Sequence, residues 1–586
     1  MAAPQQPTKP GRPAGPSLFS LLTPYRGWVG AMIVLTMAGN GLNLIVPMVL
    51  ARAIDHYGRP DFVLTKVIVE LLSIAAGIFT FSYSQSIVQT LASERIAKDL
   101  RSRLAGKISR QDHAYIQQVT SAKLLTNLTA DVDAVKVFVS QAFPSIVSSL
   151  FLIVGAGALL LTIKWNLALA VLAVLPVIGG SFRYVMGKVR PLFMKQQGAI
   201  DWLNKVINES ILGSSLIRLL NSQQFETQKF LAANTTARDI GFSILNLFAS
   251  LIPVIIFCTN LATLTILVLG GHFVISGRMT LGDFTAFNSY LAILVFPVIV
   301  IGFMSNVMAQ ATASFIRLNV VLAVPDKIDT GTVTTPLRGA IDVSHVTVTY
   351  GGKAVLKDVS WHAQPGSRTA IIGPTAAGKT QLLYLLTGLI DPASGTVSYD
   401  GVPIGQYQKA ALHHQIGLVF QDSILFNLTL RENLAFSAGI TEAALAKAIA
   451  TSELHDFVDA LPDQLNTIVS ERGTSLSGGQ KQRIMLARAL ALEPRILLLD
   501  DFTARVDTTT ERKILQNVRD NYPGLTLVTV TQKIAAVEDY DQIILLMEGE
   551  VLACGTHEQL MRTSPEYVQI YESQRSTSHY EVVHAQ

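Results

Sequence analysis

The sequence predicts an α-helical membrane domain with six transmembrane helices, followed by an α/β domain built around a phosphate-binding loop. Three observations predict it. Apolar residues make up 49% of the 586-residue chain and charged residues only 15%, with a mean hydropathy of +0.39; a soluble domain carries about 25% charge. Apolar runs of about 20 residues recur through the first half and then stop. In the second half, strands alternate with helices, and one strand runs into Gly373-Pro374-Thr375-Ala376-Ala377-Gly378-Lys379-Thr380, a match to GxxxxGK[ST].

The chain opens with Pro4, Pro7, Pro10, Pro13 and Pro16, which would line one face of a polyproline II helix. Residues 1–16 are read as a disordered Pro-rich tail. No apolar run follows the first basic residues, so no signal peptide is expected and the N-terminus is expected in the cytoplasm. The membrane domain is set at 17–322, with candidate spans at 28–51, 67–90, 142–163, 167–184, 244–270 and 284–304. The second span carries Glu70. Only Lys164, Trp165 and Asn166 separate the third and fourth, so a tight hairpin is expected there.

Basic residues orient the spans. Arg95, Lys98, Arg101, Arg103, Lys107 and Arg110 follow the second, and Arg183, Lys188, Arg190, Lys195 and Lys205 follow the fourth. The opposite connections hold only Arg52, Arg59, Lys66, Lys164 and Arg278. Excess Lys and Arg marks the cytoplasmic side, which predicts a multi-pass protein of the inner or plasma membrane with both termini inside. Asn127, Asn208, Asn234 and Asn427 sit in glycosylation sequons but face the cytoplasm on this topology. Residues 101–109 and 203–219 read as amphipathic helical stretches that extend the spans inward. Cys258 and Cys554 form no CxxC pair and no cluster with His, so neither a metal site nor a disulfide framework is expected.

Polar residues 323–338, with Pro325, Gly331 and Pro336, read as a linker. An α/β domain is set at 339–574, with a tail at 575–586. The glycine-rich loop follows an apolar strand, 369–372, and opens a helix that starts at Gln381. Backbone N–H groups and the helix N-terminus would cradle phosphate oxygens. Lys379 would reach the β and γ phosphates, and Thr380 would bind Mg²⁺. Ile496–Asp500 reads as a buried parallel strand ending in a carboxylate, as a Walker B motif does. The implied cofactors are ATP and Mg²⁺, with Thr380 and Asp500 around the metal. No nucleic-acid partner is expected.

Between the two motifs lies Leu476-Ser477-Gly478-Gly479-Gln480, which resembles the signature of ABC ATPases. The resemblance extends along most of the chain. Tyr350 is similar to the aromatic that stacks on adenine, Gln421 to the Q-loop residue, Glu471-Arg472-Gly473 to an exporter loop, and Asp507 to the D-loop aspartate. The run Gly277 to Asp283 with Ala286, Phe287 and Tyr290 resembles the start of an exporter's sixth helix, and Asp131-Val132 a coupling segment. Together these resemble a type I exporter subunit, also called the type IV fold, and imply coupling helices near Asn127 and Ile207.

The departures from that pattern carry as much information. The family has Glu, the general base, where this chain has Asp501, and His where it has Gln532. Its D-loop reads Ala504-Arg505-Val506-Asp507, and Ala376 replaces a common Gly, where Cβ could strain the loop. Asp is one methylene shorter than Glu, roughly a 1 Å misplacement, which forfeits much of the roughly 10²–10⁴ that a general base supplies. Gln carries no titratable group. In the family, each ATP site pairs one domain's Walker motifs with the other's signature. The resemblance therefore implies a heterodimer, in which this chain's own site is degenerate and its Ser477, Gly478, Gly479 and Gln480 complete the site of a partner half-transporter bearing Glu and His. A slow homodimeric exporter and an ATP-binding regulator without pumping are the alternatives. The expected partners are that second subunit, membrane lipid, and a small-molecule or lipid cargo.

Overall fold

The computed structural model describes residues 18–60, 62–326, 329–350, 352–437, 439–470, 473, 476–502 and 506–584. The tail at 1–16, Glu471, Arg472, Ala504 and Arg505 lie outside the described residues. The chain forms two units, one running to Ser109 and from Thr120 to Pro325, the other comprising Arg110–Val119 and the chain from Asp326.

Long helices build the first unit: Arg26–His56, Leu64–Ile108, Phe143–Leu172, Val174–Leu212, Gln223–Thr265 and Leu281–Leu322. By length and composition, five continuous helical stretches among the described residues can cross a bilayer: Leu18–His56, Leu64–Ile108, Ser121–Leu212, Gln223–Ile275 and Leu281–Leu322. The third is 92 residues long, about 138 Å if straight, and its backbone leaves helical geometry at Lys164 (φ −155°, ψ 96°). Large apolar side chains such as Val34, Val69, Leu72, Phe79 and Val154 point outward. That arrangement is costly in water and suited to lipid, which is as apolar as the side chains themselves.

The interior of this unit is dense around Ala156, Leu160, Phe287, Tyr290 and Leu294. The buried Tyr290 hydroxyl donates to Leu44 O at 2.8 Å, so its one polar atom is satisfied. Gly282 packs so closely on the Arg26–His56 helix that a Cβ would lie 2.1 Å from Ala51 O, and its N–H donates to Asp55 Oδ1 at 2.7 Å. The Val174–Leu212 and Gln223–Thr265 helices lie along each other, with Phe182, Val185 and Val189 packed against Ile244 and Leu251.

One expectation needs correction here. The stretch at 203–219 is not one helix, because Gly213 (φ −85°, ψ 7°) ends the Val174–Leu212 helix and Ser214–Leu219 forms a separate helix of 6 residues. Asn127 is buried inside the first unit. Its amide nitrogen, turned toward Asp131, lies 3.1 Å from Asp131 Oδ2. Arg317 grips the same carboxylate through Nε at 3.1 Å and 3.2 Å and through Nη2. The segment that groups with the second unit is Arg110–Val119, where His113 packs edge-on against Tyr384 with 5.1 Å between ring centroids.

The second unit has two sheets. Strands β1 (Ile341–Tyr350), β2 (Lys353–Ala363), β4 (Ser394–Tyr399) and β5 (Val402–Pro403) form an antiparallel sheet in the order β2-β1-β4-β5. Strands β3 (Arg368–Ile372), β6 (Ile416–Val419), β7 (Ile496–Asp500), β8 (Thr526–Val530), β9 (Gln542–Met547) and β10 (Glu550–Gly555) form the other, ordered β10-β9-β3-β8-β7-β6. All but the edge strand β10 run parallel. Strands β7 and β8 are buried at every residue, as parallel strands covered on both faces are.

Candidate functional site

The site lies beyond the carboxyl ends of the parallel strands, the usual ligand position in such sheets. Register explains why distant residues meet there. Ile371 pairs with Val530, Val530 with Asp500, and Leu499 with Val419. Gly373, Gln532, Asp501 and Gln421 each follow these strand ends by one or two residues.

The loop from Gly373 to Gly378 requires unusual backbone. Gly373 has φ +152° and Gly378 φ +99°. A Cβ on Gly373 would lie 2.0 Å from Leu546 O, and one on Gly378 would lie 2.8 Å from Leu356 Cδ2. Ala376 sits at φ +66°, so the strain expected from its Cβ is present in the backbone. Pro374, Thr375 and Ala376 are exposed, whereas Ala377 and Gly378 are buried.

The Lys379–Leu386 helix begins at Lys379 with Gly378 as its N-cap. Lys379 is 9% exposed, and its ammonium donates to Gly373 O and Pro374 O at 2.8 Å each. Burial lowers its pKa, while Asp501 and Asp500 oppose that shift. Thr380 donates its hydroxyl to Asp500, yet burial still pushes the Asp500 carboxyl above its usual range. Asp500 is 2% exposed, and its Oδ2 has no hydrogen-bond partner, as is also true of the buried Gln381 Oε1 and Tyr350 hydroxyl.

These unmet polar atoms fit a nucleotide and a cation. A buried carboxylate oxygen without a donor needs a positive partner, and Thr380 and Asp500 are hard oxygen ligands of the kind Mg²⁺ takes. Tyr350 ends β1, the strand hydrogen-bonded to β2, and β2 supplies Leu356 and Val355 against Gly378. The adenine-stacking candidate is therefore on the hairpin that packs over the loop. Gln421 is exposed two residues past β6.

Asp501 follows β7 at φ +44°, its N–H held by Val530 O at 2.9 Å. Gln532 is exposed. Its carbonyl accepts from Gln574 Nε2 at 2.6 Å, while Gln574 Oε1 accepts from Ile534 N at 3.0 Å. Gln574 thus clamps the Gln532 turn from 42 residues away. Sequence reasoning missed it, because no local pattern marks a glutamine on the Pro565–His584 helix for that role.

Ser477 caps the Gly478–Leu490 helix in a reciprocal box. Its Oγ accepts from Gln480 N at 3.3 Å, and Gln480 Oε1 accepts from Ser477 N at 2.8 Å. Gly478 and Gly479 form the first turn without side chains, so the helix end presents bare N–H groups suited to an anion. Among the described residues, no hydrogen bond joins Ser477, Gly478, Gly479 or Gln480 to the loop at Gly373. Asp507 caps the next helix, Thr508–Asn521, by accepting from Thr510 N at 2.9 Å.

Comparison with known proteins agrees with this geometry. Residues 29–298 match the family model "ABC transporter transmembrane region", and residues 356–504 match "ABC transporter". An uncharacterized ABC transporter ATP-binding protein, YfiB of Bacillus subtilis, is 32% identical over 95% of this chain and 98% of its own length. A probable multidrug resistance ABC transporter ATP-binding/permease protein of the same organism, YheI, is 30% identical over 93% of this chain and 94% of its own. An ATP-dependent lipid A-core flippase of Syntrophus aciditrophicus is 29% identical over 84% and 83%. A solved structure of a bacterial Atm1-family ABC exporter with ATP bound overlays with a TM-score of 0.78 at 22% identity, covering 94% of this chain and 98% of that one. The chain belongs to the ABC transporter family, as an ATPase-coupled half-transporter of the type IV exporter fold that joins one helical membrane domain to one ATP-binding domain.

Proposed function

We propose that this chain is the degenerate-site subunit of a heterodimeric exporter with six spans and cytoplasmic termini. The observation that carries the reading is the pair Asp501 and Gln532 at the strand ends where the family has Glu and His, beside an intact Thr380–Asp500 pair and an intact Ser477 cap. The six-span count is supported by the 92-residue stretch. It exceeds a 30 Å core several-fold, and its backbone breaks at Lys164. The domain limits of 17–322, 323–338 and 339–574 and the inner-membrane location belong to the same reading.

In this account Lys379 and the loop N–H groups hold the phosphates of ATP, Thr380, Asp500 and Gln421 surround Mg²⁺, and Tyr350 stacks on the adenine. The cation supplies charge neutralisation at the phosphates. Asp501 accepts a proton poorly from the attacking water, since its carboxylate falls short and its backbone is pinned at Val530 O. Occupancy of this site shifts the closed state of the pair without rapid turnover. Ser477, Gly478, Gly479 and Gln480 complete the partner's site. The cargo is amphipathic, in keeping with relatives named for multidrug resistance and for a lipid flippase.

The test is a D501E/Q532H variant of the full complex. With the pinned backbone unchanged, ATP turnover at this site should rise at least tenfold, a modest part of the roughly 10²–10⁴ that a positioned base supplies. Turnover unchanged, or already shared equally by both sites in the native complex, would refute the degenerate-site reading.

A further inference from the structure

The turn after β8 carries Gln532, and it is held from two sides. Thr531 N donates to Ile371 O at 3.2 Å, and the Thr531 hydroxyl accepts from Lys533 N at 3.1 Å, so the sheet fixes the start of the turn. The rest is fixed from outside the sheet. Gln574 Nε2 donates to Gln532 O at 2.6 Å, and Gln574 Oε1 accepts from Ile534 N at 3.0 Å. A primary amide carries donors and an acceptor in one plane, so one side chain satisfies the backbone on both sides of Lys533.

A helix face brings Gln574 to this turn. Tyr567, Ile570, Tyr571 and Gln574 follow the i, i+3, i+4, i+7 spacing of one face of the Pro565–His584 helix. Tyr567 is buried in the same core cluster as Ile534 and Val537, and Ile570 and Tyr571 pack against it. The Tyr567 hydroxyl shares a hydrogen bond with His557 Nδ1 at 2.8 Å, and Tyr571 meets the His557 ring edge-on with 5.2 Å between centroids. The apolar part of the face anchors the helix, and its far end delivers the half-buried Gln574.

Register places the clamped turn beside the phosphate loop. Val530 pairs with Ile371, on the strand that runs into Gly373, and with Asp500, the neighbour of Asp501. Gln532 therefore follows a strand that lies between the loop strand and the strand carrying Asp501. A backbone shift of about 1 Å there takes a side-chain hydrogen bond out of range.

We propose that Gln574 is a positioning residue: it fixes the reach of the Gln532 side-chain amide toward the terminal phosphate of ATP, so that the Pro565–His584 helix sets how strongly this site prefers ATP to ADP. The proposal rests on the ATP-site reading above, which puts residue 532 within reach of that phosphate.

The full-length protein, with any partner that copurifies, would be photolabelled on ice with 8-azido-ATP in competition with ATP or ADP. Label is counted by mass spectrometry on this chain's own peptides around Tyr350, which separates this site from a partner's. Q532A should lower the ratio of ATP to ADP affinity about tenfold and Q574M at least about threefold, the scale of a hydrogen bond to a charged group, with ADP affinity unchanged. Q574M added to Q532A should lower the ratio no further. Q574E keeps an acceptor for Ile534 N but has no N–H for Gln532 O, so it should lower the ratio as well. E572Q, at an exposed position of the same helix, should not. In the nucleotide-free protein, amide exchange at Ile534 should quicken in Q574M and stay native in E572Q. An unchanged ratio in Q532A would overturn the reading of residue 532 and the proposal with it. A ratio that falls in Q532A but not in Q574M, ATP and ADP affinities that fall together in Q574M, or unchanged exchange at Ile534 would overturn the positioning role alone.

Discussion

Three substitutions in one phosphate loop should change stability with different signs. Ala376 occupies φ +66°, where a side chain costs roughly 1–2 kcal/mol. A376G removes that strain but adds about 0.5–1 kcal/mol of unfolded-state entropy. The net effect is about 0 to +1.5 kcal/mol in favour of the fold. At Gly378, φ is +99°, and a new Cβ would lie 2.8 Å from Leu356 Cδ2 and 3.0 Å from Val355 O. Strain and overpacking then add, so G378A should cost about 2–4 kcal/mol. At Gly373 the obstacle is backbone, Leu546 O at 2.0 Å, which cannot rotate away, so G373A should be the most damaging. A domain of this size loses about 2–4 °C per kcal/mol. The assay is thermal unfolding of the nucleotide-free chain by emission of Trp361, which is buried on β2, in a background where Trp28, Trp165 and Trp202 are Phe. The expected order of midpoints is A376G at or above native, then G378A, then G373A. An A376G midpoint below G378A would show that the loop geometry described here is wrong.

Two further predictions concern charge. Burial raises the Asp500 pKa, so the protonated form favours the fold. That advantage is complete below the ordinary carboxylate value and is lost as pH rises through the raised one. D500N should therefore raise the nucleotide-free midpoint at pH 7, with the gain shrinking in acid, while Mg²⁺-dependent nucleotide binding is lost; a gain that grows in acid would contradict the sign. Removing Arg317 leaves the Asp131 carboxylate, 3% exposed, with Asn127 as its remaining donor. A fully buried pair would cost about 3–5 kcal/mol, but Arg317 is half exposed, so R317M should cost about 1–3 kcal/mol. D131N should recover part of that loss in the double variant, and strictly additive midpoints would refute the coupling.

What the sequence displays depends on how local the physics is. Strand β7 is legible because parallel strands covered on both faces need unbroken apolar runs, and Leu497, Leu498 and Leu499 supply one. Lys379 and Thr380 are legible because a loop that wraps phosphate needs glycine at Gly373 and Gly378, for which the positive φ values give the reason. The antiparallel sheet of β1, β2, β4 and β5 is not among the sequence expectations: β1 alternates buried and exposed residues, but alternation alone does not name the strand it pairs with. Contacts across the chain leave no local trace. Arg317 reaches Asp131 over 186 residues, and Gln574 reaches Gln532 over 42. The 203–219 stretch misled because its apolar spacing continues through Gly213, where the helix itself stops.

The central claim, that this chain works beside a different half-transporter, is tested most directly by affinity purification of the tagged chain from its native membrane, with the copurifying protein quantified by mass spectrometry. The account predicts a second half-transporter at one-to-one stoichiometry, bearing Glu after its Walker B aspartate and His at the position of Gln532. Recovery of this chain alone, as a stable dimer that hydrolyses ATP at both sites, would contradict it.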